Sequence, residues 1–328
     1  MPPPLPVPVV PGPLLSIVSP VFRAEGLVDE LVRRIQASLG PVTEDYEIIL
    51  VDDCSPDGAW ARIRAHAARD PRVRGLRLSR NFGQHRAITA GLDRCRGEWV
   101  VVLDCDLQDR PEEIPALLAV ARQGYDLVLA RRGARQDAWH RQLLSRWFYR
   151  LLSYLTDTPQ DPAVASFGIY HRRVIAAVLT LRESIQCFPV LVRWVGFRAG
   201  YLAVTHAGRP AGRSSYGLSQ RLHLGLDVLL ASSDKPLRLT VKAGLLLAGG
   251  AFLLVPITLL RYWVGQISQP GYTSLVISVW FFSGLLLAVL GMVGLYIGKT
   301  FEQVKSRPLY VVDDATAPAP LPAARPQP

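Results

Sequence analysis

The stretch VVLDCDLQDRPEEIP, residues 101–115, decides how this chain is read. An apolar run stops at Asp104; Asp106 follows, and then Gln108, Asp109, Pro111, Glu112 and Glu113. A buried strand that ends in carboxylates delivers them to the rim of a sheet. On a strand running from 98 to 106, alternate side chains share a face, so Asp104 and Asp106 are expected to point the same way. Two carboxylates and the amide oxygen of Gln108 are hard oxygen donors. They suit Mg2+ or Mn2+, ions that keep waters and also take phosphate oxygens. A plainer reading makes the acids the opening of the next helix, with Pro111 near its first turn. That reading accounts for Asp109, Glu112 and Glu113, whereas Asp104 and Asp106 lie before the helix.

The same kind of strand recurs on both sides. LLSIVSPVF (14–22), YEIILVDD (46–53), VRGLRLS (73–79), EWVVVLDCD (98–106) and YDLVLARR (125–132) are nearly continuous apolar runs. Amphipathic stretches such as GLVDELVRRIQASLG (26–40) and EEIPALLAVARQG (112–124) lie between them. The alternation predicts an α/β domain with a parallel sheet covered by helices on both faces. Ligands of such sheets bind beyond the carboxyl ends of the strands. Polar residues gather there: Asp52 and Asp53, Arg80 and Asn81, Asp104 and Asp106, Arg131 and Arg132. The chain has no GxxxxGK[ST] loop, no GxGxxG after its first strand and no HExxH. What remains is a nucleoside diphosphate bridged by a metal to the paired acids.

Composition narrows the partners. Of 328 residues, 49% are apolar, and 37 Lys and Arg stand against 27 Asp and Glu, a net charge of +10. That balance points to a polyanion: nucleic acid, an anionic membrane surface or a phosphorylated substrate. Cys54, Cys95, Cys105 and Cys187 are scattered and form no CxxC pair, so reduced thiols in a cytosolic compartment are expected. The opening MPPPLPVPVVPGP lacks the basic region and helical core of a signal peptide, and the closing ATAPAPLPAARPQP is equally Pro-rich. Both read as flexible tails.

Two uncharged runs stand out, Ala243–Leu260 and Ser274–Gly298. At ~1.5 Å per residue both approach or exceed the ~30 Å hydrocarbon core of a bilayer. The joining loop GQISQPGYT (265–273) has no Lys or Arg, whereas Arg238, Lys242, Lys299, Lys305 and Arg307 flank the pair. The positive-inside rule therefore puts the flanks and both termini in the cytoplasm. Arg261, near the outer end of the first run, can snorkel beside Tyr262 and Trp263. WHRQLLSRWFYRLLSYL (139–155) and SQRLHLGLDVLLASSDKPLRL (219–239) mix basic, aromatic and aliphatic residues, as interfacial helices do, and for the first ordinary packing against the sheet is an equal alternative. The expected organisation is a tail (1–13), a cytosolic domain (14–217), a juxtamembrane amphipathic helix (218–238), transmembrane helices at 239–264 and 274–298, and a cytosolic tail (299–328). Such a chain belongs in the inner membrane as a multi-pass protein.

SIVSPVFRAEG (16–26), EIILVDDCSPDG (47–58), SRNFGQ (79–84), DCDLQD (104–109) and DLVLARR (126–132) resemble the inverting family 2 glycosyltransferases. Within them the chain is similar to the polyprenyl-phosphate glycosyltransferases, over residues 14–310. These include dolichol-phosphate mannose synthase, the bactoprenol glucosyltransferases and the undecaprenyl-phosphate aminoarabinose transferases. The resemblance implies a nucleotide-sugar-binding, Rossmann-like domain of GT-A type followed by two transmembrane helices. It implies a nucleotide-sugar donor, a UDP or GDP sugar, and a polyprenyl phosphate acceptor at the cytoplasmic membrane face. Nucleic acid drops out as a partner, and homo-oligomerisation stays open. Pro20, Phe22 and Glu25 would line the base pocket, Asp52 and Asp53 would meet uracil and ribose, and Arg80 and Asn81 would complete the donor site. Asp104, Asp106 and Gln108 would hold Mg2+ or Mn2+ on the diphosphate.

An anionic acceptor calls for arginines, whose guanidinium fork matches phosphate. Arg131 and Arg132 end the fifth strand, and HAGRPAGRSSYG (206–217) resembles the family's HxxRxxGxSxY loop. The resemblance makes His206, Arg209, Arg213, Ser215 and Tyr216 the expected acceptor residues, with Arg131 and Arg209 joining Asp104 and Asp106 in catalysis; the other reading of any single arginine is a solvated basic surface facing anionic lipid, and of His206 a structural role. The chain departs from the family pattern at Arg23, where Asn is frequent, and at Ser215, where Lys is common. It departs again in VASFGIYHRR (164–173), where Ser166 replaces an acid often proposed as the base and Gly168 replaces an arginine. Two other classes share parts of this pattern. A processive synthase would carry QxxRW and more spans, but LVRWVG (191–196) has Val190 where the glutamine belongs. A non-catalytic scaffold would not need the intact DxDLQ.

Overall fold

The computed structural model describes residues 13–132, 164–183, 187–204 and 271–316, with scattered positions between 235 and 265. In chain order the elements begin with β1 (Leu15–Val21), α1 (Glu25–Leu39), β2 (Tyr46–Asp52), α2 (Ala59–Arg69), β3 (Val73–Leu78), α3 (Gln84–Leu92) and β4 (Trp99–Val102). A 3-10 turn (Pro111–Glu113), α4 (Ile114–Ala121), β5 (Leu127–Arg132), β6 (Val164–His171), α5 (Arg172–Thr180), α6 (Phe188–Trp194) and β7 (Ala199–Val204) follow. After α7 (Tyr272–Val304) the chain ends its described part in β8 (Val312–Ala315).

The strands form one sheet in the order β7-β5-β6-β4-β1-β2-β3-β8. Every residue of β1 and β2 is buried because helices cover both faces. Val28, Leu31 and Ile35 of α1, Trp60 and Ile63 of α2 and Leu117 of α4 pack with Ile17, Leu50 and Val101 on one face. Ile88 of α3, Val174 of α5 and Leu191 of α6 pack with Val18, Val51 and Val102 on the other. Gly91 lets α3 lie tight on β1, since a Cβ there would stand 2.4 Å from Val18 Cγ1.

The sheet is mixed, which corrects the expectation of a wholly parallel one. β1 pairs parallel with β2 and β4, β2 with β3, and β5 with β7. β6 runs antiparallel between β4 and β5, and β8 runs antiparallel on β3. Neither β6 (VASFGIYH) nor β8 (VDDA) has the long apolar run that marks a strand in sequence. Their neighbours supply the pairing that composition does not advertise.

Part of the stretch read as a tail, 299–328, is therefore structured. α7 continues to Val304, and β8 then lines the edge of the sheet. Thr316 closes on Gly75, accepting its N–H at 2.8 Å and donating its own N–H to the Gly75 carbonyl at 3.1 Å. The Trp60 indole N–H donates to Asp314 at 3.3 Å. Two aspartates on so short an edge strand discourage further strand addition.

Residues 1–149, 161–215 and 308–328 make one compact unit, and 150–160 with 216–307 make a second. In the second, α7 is the one helix among the described residues long and apolar enough to cross a membrane. It leaves Phe281, Phe282, Leu286, Leu287, Leu290 and Leu295 exposed, unlike a core helix. The stretch 139–155 lies outside the described residues, as do most of 219–239 and of the first expected span, 239–264.

Candidate active site

The site starts from a change of direction in the sheet. From β1 the chain winds through β2 and β3 on one side, while β4 lies on the other. A crevice opens beyond the carboxyl ends of the strands at such a switch point. Leu103 N–H still donates to Val18 O at 3.1 Å, but the paired register of β1 with β4 ends at Val18 and Val102. Val21 O accepts the Asp53 N–H on the β2 side, so the backbone nitrogen of Pro20 faces the β4 side, where the ladder has stopped. A proline fits there because no donor is required of it. Pro20 is itself buried, and Phe22 just beyond it is 37% exposed at the mouth.

Asp104 and Asp106 lie past the end of β4, which corrects the expected strand 98–106. Cys105 and Asp106 sit in a turn, and Leu107 takes φ +58°, so strand alternation does not bring the two acids together. Instead a turn sets them: Asp104, Cys105 and Asp106 are all half-buried, and Cys105 packs against the core. Burial pushes the Cys105 thiol up to about 12, despite the Phe22 N–H directed at it. Asp106 accepts the Gln108 N–H at 3.1 Å, and Asp104 accepts the Gln84 side-chain amide at 2.7 Å. Two half-exposed carboxylates, with Gln108 bound to one of them through its backbone N–H, fit a hard divalent cation. Among the described residues no group of three or more His, Cys, Asp or Glu side chains could hold a metal by itself.

The β2 and β3 ends close the other side. Asp52 has no exposed surface; its carboxylate accepts the Ser55 N–H at 3.1 Å and lies 3.6 Å from Arg77 Nε. Burial pushes it up to about 6, against the Ser55 hydrogen bond and the Arg77 charge. Asp53 spends both oxygens on the SRNFGQ loop, accepting Phe82 N–H at 2.7 Å and Gly83 N–H at 2.8 Å. Burial still holds its pKa above the ordinary value. Gly83, at φ +94°, supplies the left-handed turn the loop needs before α3. Arg80 lies over the Phe82 ring at 4.2 Å, and both Arg80 and Asn81 are exposed. Glu25 accepts the Gly58 N–H at 3.0 Å and stands 3.8 Å from Arg62. Arg23, at φ +52°, donates its N–H to Ser55 Oγ at 2.6 Å, and Ser55 donates to Asp57 at 2.6 Å. Glu25 and Asp53 thus make internal contacts that shape the crevice, and Ser55, Asp57, Arg77 and Gln84 belong to the site although sequence reasoning gave them no role. For Gln84 the signal was there, in the SRNFGQ motif.

Of the acceptor set, Arg131 and Arg132 end β5, paired with Ala203 and Val204 of β7. Gly168 of β6 pairs with both Val102 and Leu129, so the register carries Ser166 to the same end of the sheet as Asp104 and Arg131. His206, Arg209, Arg213, Ser215 and Tyr216 lie outside the described residues, on the segment that begins just after Val204. All four cysteines are free, as expected.

Residues 16–179 match the family model Glycosyl transferase family 2. An undecaprenyl-phosphate 4-deoxy-4-formamido-L-arabinose transferase of Aeromonas hydrophila is 35% identical over 313 residues, 93% of this chain and 96% of that protein. The uncharacterized glycosyltransferase YkcC of Bacillus subtilis is 36% identical over 298 residues, 90% of this chain and 92% of its own. Among solved structures, glucosyl-3-phosphoglycerate synthase from Mycobacterium tuberculosis, in complex with Mn2+, UDP and phosphoglyceric acid, superposes with a TM-score of 0.49 at 16% identity. It covers 67% of this chain and 77% of that one, too distant a likeness to carry an argument.

Proposed function

The chain belongs to glycosyl transferase family 2, and from that premise we propose that it transfers a sugar, with inversion, from a UDP sugar to undecaprenyl phosphate. The observation that carries the reading is the DCDLQ turn, set at the switch point of the sheet with its two carboxylates half exposed. Full-length similarity to transferases named for undecaprenyl phosphate supports the acceptor. It also disfavours a processive synthase.

The chemistry asks four things of the chain. The crevice between the β1 and β2 ends takes the nucleoside, with Phe22 at its mouth and Asp52 at its floor. Asp104, Asp106 and the Gln108 amide would hold Mg2+ or Mn2+, which when bound offsets charge on the departing diphosphate. Arg131, Arg132, Arg209 and Arg213 receive the acceptor phosphate and strip it of water. An acceptor oxygen attacks the anomeric carbon as the bond to the donor diphosphate breaks, releasing the nucleoside diphosphate. A phosphate monoester with a second pKa near ~6 is already mostly a dianion at neutral pH, so Ser166 is not asked to act as a base. The exposed apolar surface of α7 supports anchoring in the inner membrane. The basic residues flanking both expected spans support a cytoplasmic site and cytoplasmic termini.

Purified full-length protein with undecaprenyl phosphate and a panel of nucleotide sugars tests this. One donor should yield a lipid-linked sugar and an equal amount of free nucleoside diphosphate. Transfer to a growing polysaccharide, or no product with any polyprenyl phosphate, would overturn the proposal.

A further inference from the structure

We propose that Gln84 is a positioning residue, whose side-chain amide holds the Asp104 carboxylate in the orientation that receives the divalent cation. The inference rests on the reading of Asp104 and Asp106 as a metal pair. Asp104 needs such help because it stands beyond the last paired residue of β4, on a segment that turns at once. Gln84 can give it because its own backbone is fixed from both sides. Upstream, Asp53 grips the N–H groups of Phe82 and Gly83 at 2.7 and 2.8 Å. Downstream, Arg86 and Ala87 each donate an N–H to Gly83 O at 3.1 Å, closing the first turn of α3. From that fixed point Gln84 Nε2 reaches Asp104 Oδ1 at 2.7 Å.

The residue type matters. A carboxylate offers about four lone-pair sites, and one amide N–H occupies one of them. A neutral amide leaves the carboxylate its full negative charge. A Lys or Arg in this place would neutralise the carboxylate and compete with the metal. The same chain of contacts links the end of β2 to the metal pair: Asp53 holds the loop, the loop holds Gln84, and Gln84 holds Asp104. A disturbance at Asp53 should therefore be felt at the cation.

The test compares Mn2+ binding to full-length protein in detergent, read as free Mn2+ by electron paramagnetic resonance, for the parent, Gln84→Leu and Asp106→Ala. Gln84→Leu should weaken Mn2+ binding by about 10- to 100-fold, the usual cost of losing a partner that orients a metal ligand. Its lost transfer rate should return in excess Mn2+, which a merely structural defect would not allow. Gln84→Met should behave alike, and covers the case in which the leucine variant fails to fold. Parent-like Mn2+ affinity in both Gln84 variants, with binding lost in Asp106→Ala, would overturn the role of Gln84 and leave the metal pair standing. Parent-like affinity in Asp106→Ala would overturn the metal pair, and the inference with it.

Discussion

Tyr310, six residues past the end of α7, donates its hydroxyl to Asp93 at the end of α3 at 2.7 Å, across 217 residues of sequence. Asp93 also takes two hydrogen bonds from Arg182, at 2.9 and 2.6 Å. One carboxylate therefore ties the chain returning from α7 to the helical layer on one face of the sheet. Tyr310→Phe removes one donor from a shared acceptor and should cost about 1 kcal/mol. Gly75→Val should cost more, on the order of 1–3 kcal/mol, because its Cβ would meet Ile63 at 2.4 Å and Thr316 at 3.1 Å. Denaturant unfolding of both variants checks the order; equal stability of all three proteins would mean that β8 does not hold the sheet edge.

Removing one carboxylate of the DCDLQ turn should remove transfer. Asp106→Ala takes away half of the counter-charge pair, and a loss of 100-fold or more in kcat is expected, about 3 kcal/mol of barrier. Excess EDTA should do the same to the parent, reversibly. Turnover that survives either treatment would show that no divalent cation serves the diphosphate.

Asp52 makes the stability of the domain depend on pH with a known sign. Its folded pKa, about 6, lies above the unfolded value because burial disfavours the charged form. Ser55 N–H and Arg77 pull it down, while Asp57 and Asp53 push it up. The folded state therefore binds the proton more tightly, and stability attributable to Asp52 rises as pH falls from about 6 towards about 4. Above pH 6 the buried charge costs on the order of 3 kcal/mol. Asp52→Asn should gain most over the parent at pH 7.5 and little near pH 4. A difference between the two proteins that is flat across that range contradicts the assignment.

Topology is open to labelling. Single cysteines at Ser268 and Ser306, in a background with Cys54, Cys95, Cys105 and Cys187 replaced, can be probed with an impermeant maleimide in intact cells. Position 268 should label and 306 should not, since the basic flanks stay inside. Labelling at 306 alone would reverse the orientation and put the site on the outer face.

Ser166 and Arg209 separate two views of the acceptor. If positioning by arginines suffices, Ser166→Ala should leave kcat within about two- to threefold of the parent, since alignment alone is worth several kcal/mol. Arg209→Ala should raise the acceptor KM, lower kcat, or both, with nucleotide-sugar affinity nearly unchanged. A large kcat loss in Ser166→Ala with Arg209→Ala silent would move the acceptor site away from the segment after β7.

Local sequence determined the elements that burial alone can specify. β1, β2, β3 and β5 appear where apolar runs of strand length lie between amphipathic helices, because a strand covered on both faces has no polar side to show. The acids at the strand ends and the SRNFGQ and DCDLQ motifs were equally plain, and with them the family. Tertiary structure decided the rest. β4 stops at Val102 because Pro20 and the reversal of strand order let β1 and β4 part, so Asp104 and Asp106 are set by a turn rather than by strand alternation. β6 and β8 join the sheet because neighbouring strands offer unpaired edges, and no apolar run announces them. The bonds of Asp53 to Phe82 and Gly83, of Gln84 to Asp104 and of Tyr310 to Asp93 span 20 to 217 residues. Such contacts depend on which strands lie side by side and in what register. A side chain's own neighbours in sequence do not carry that information, and only the folded sheet supplies it.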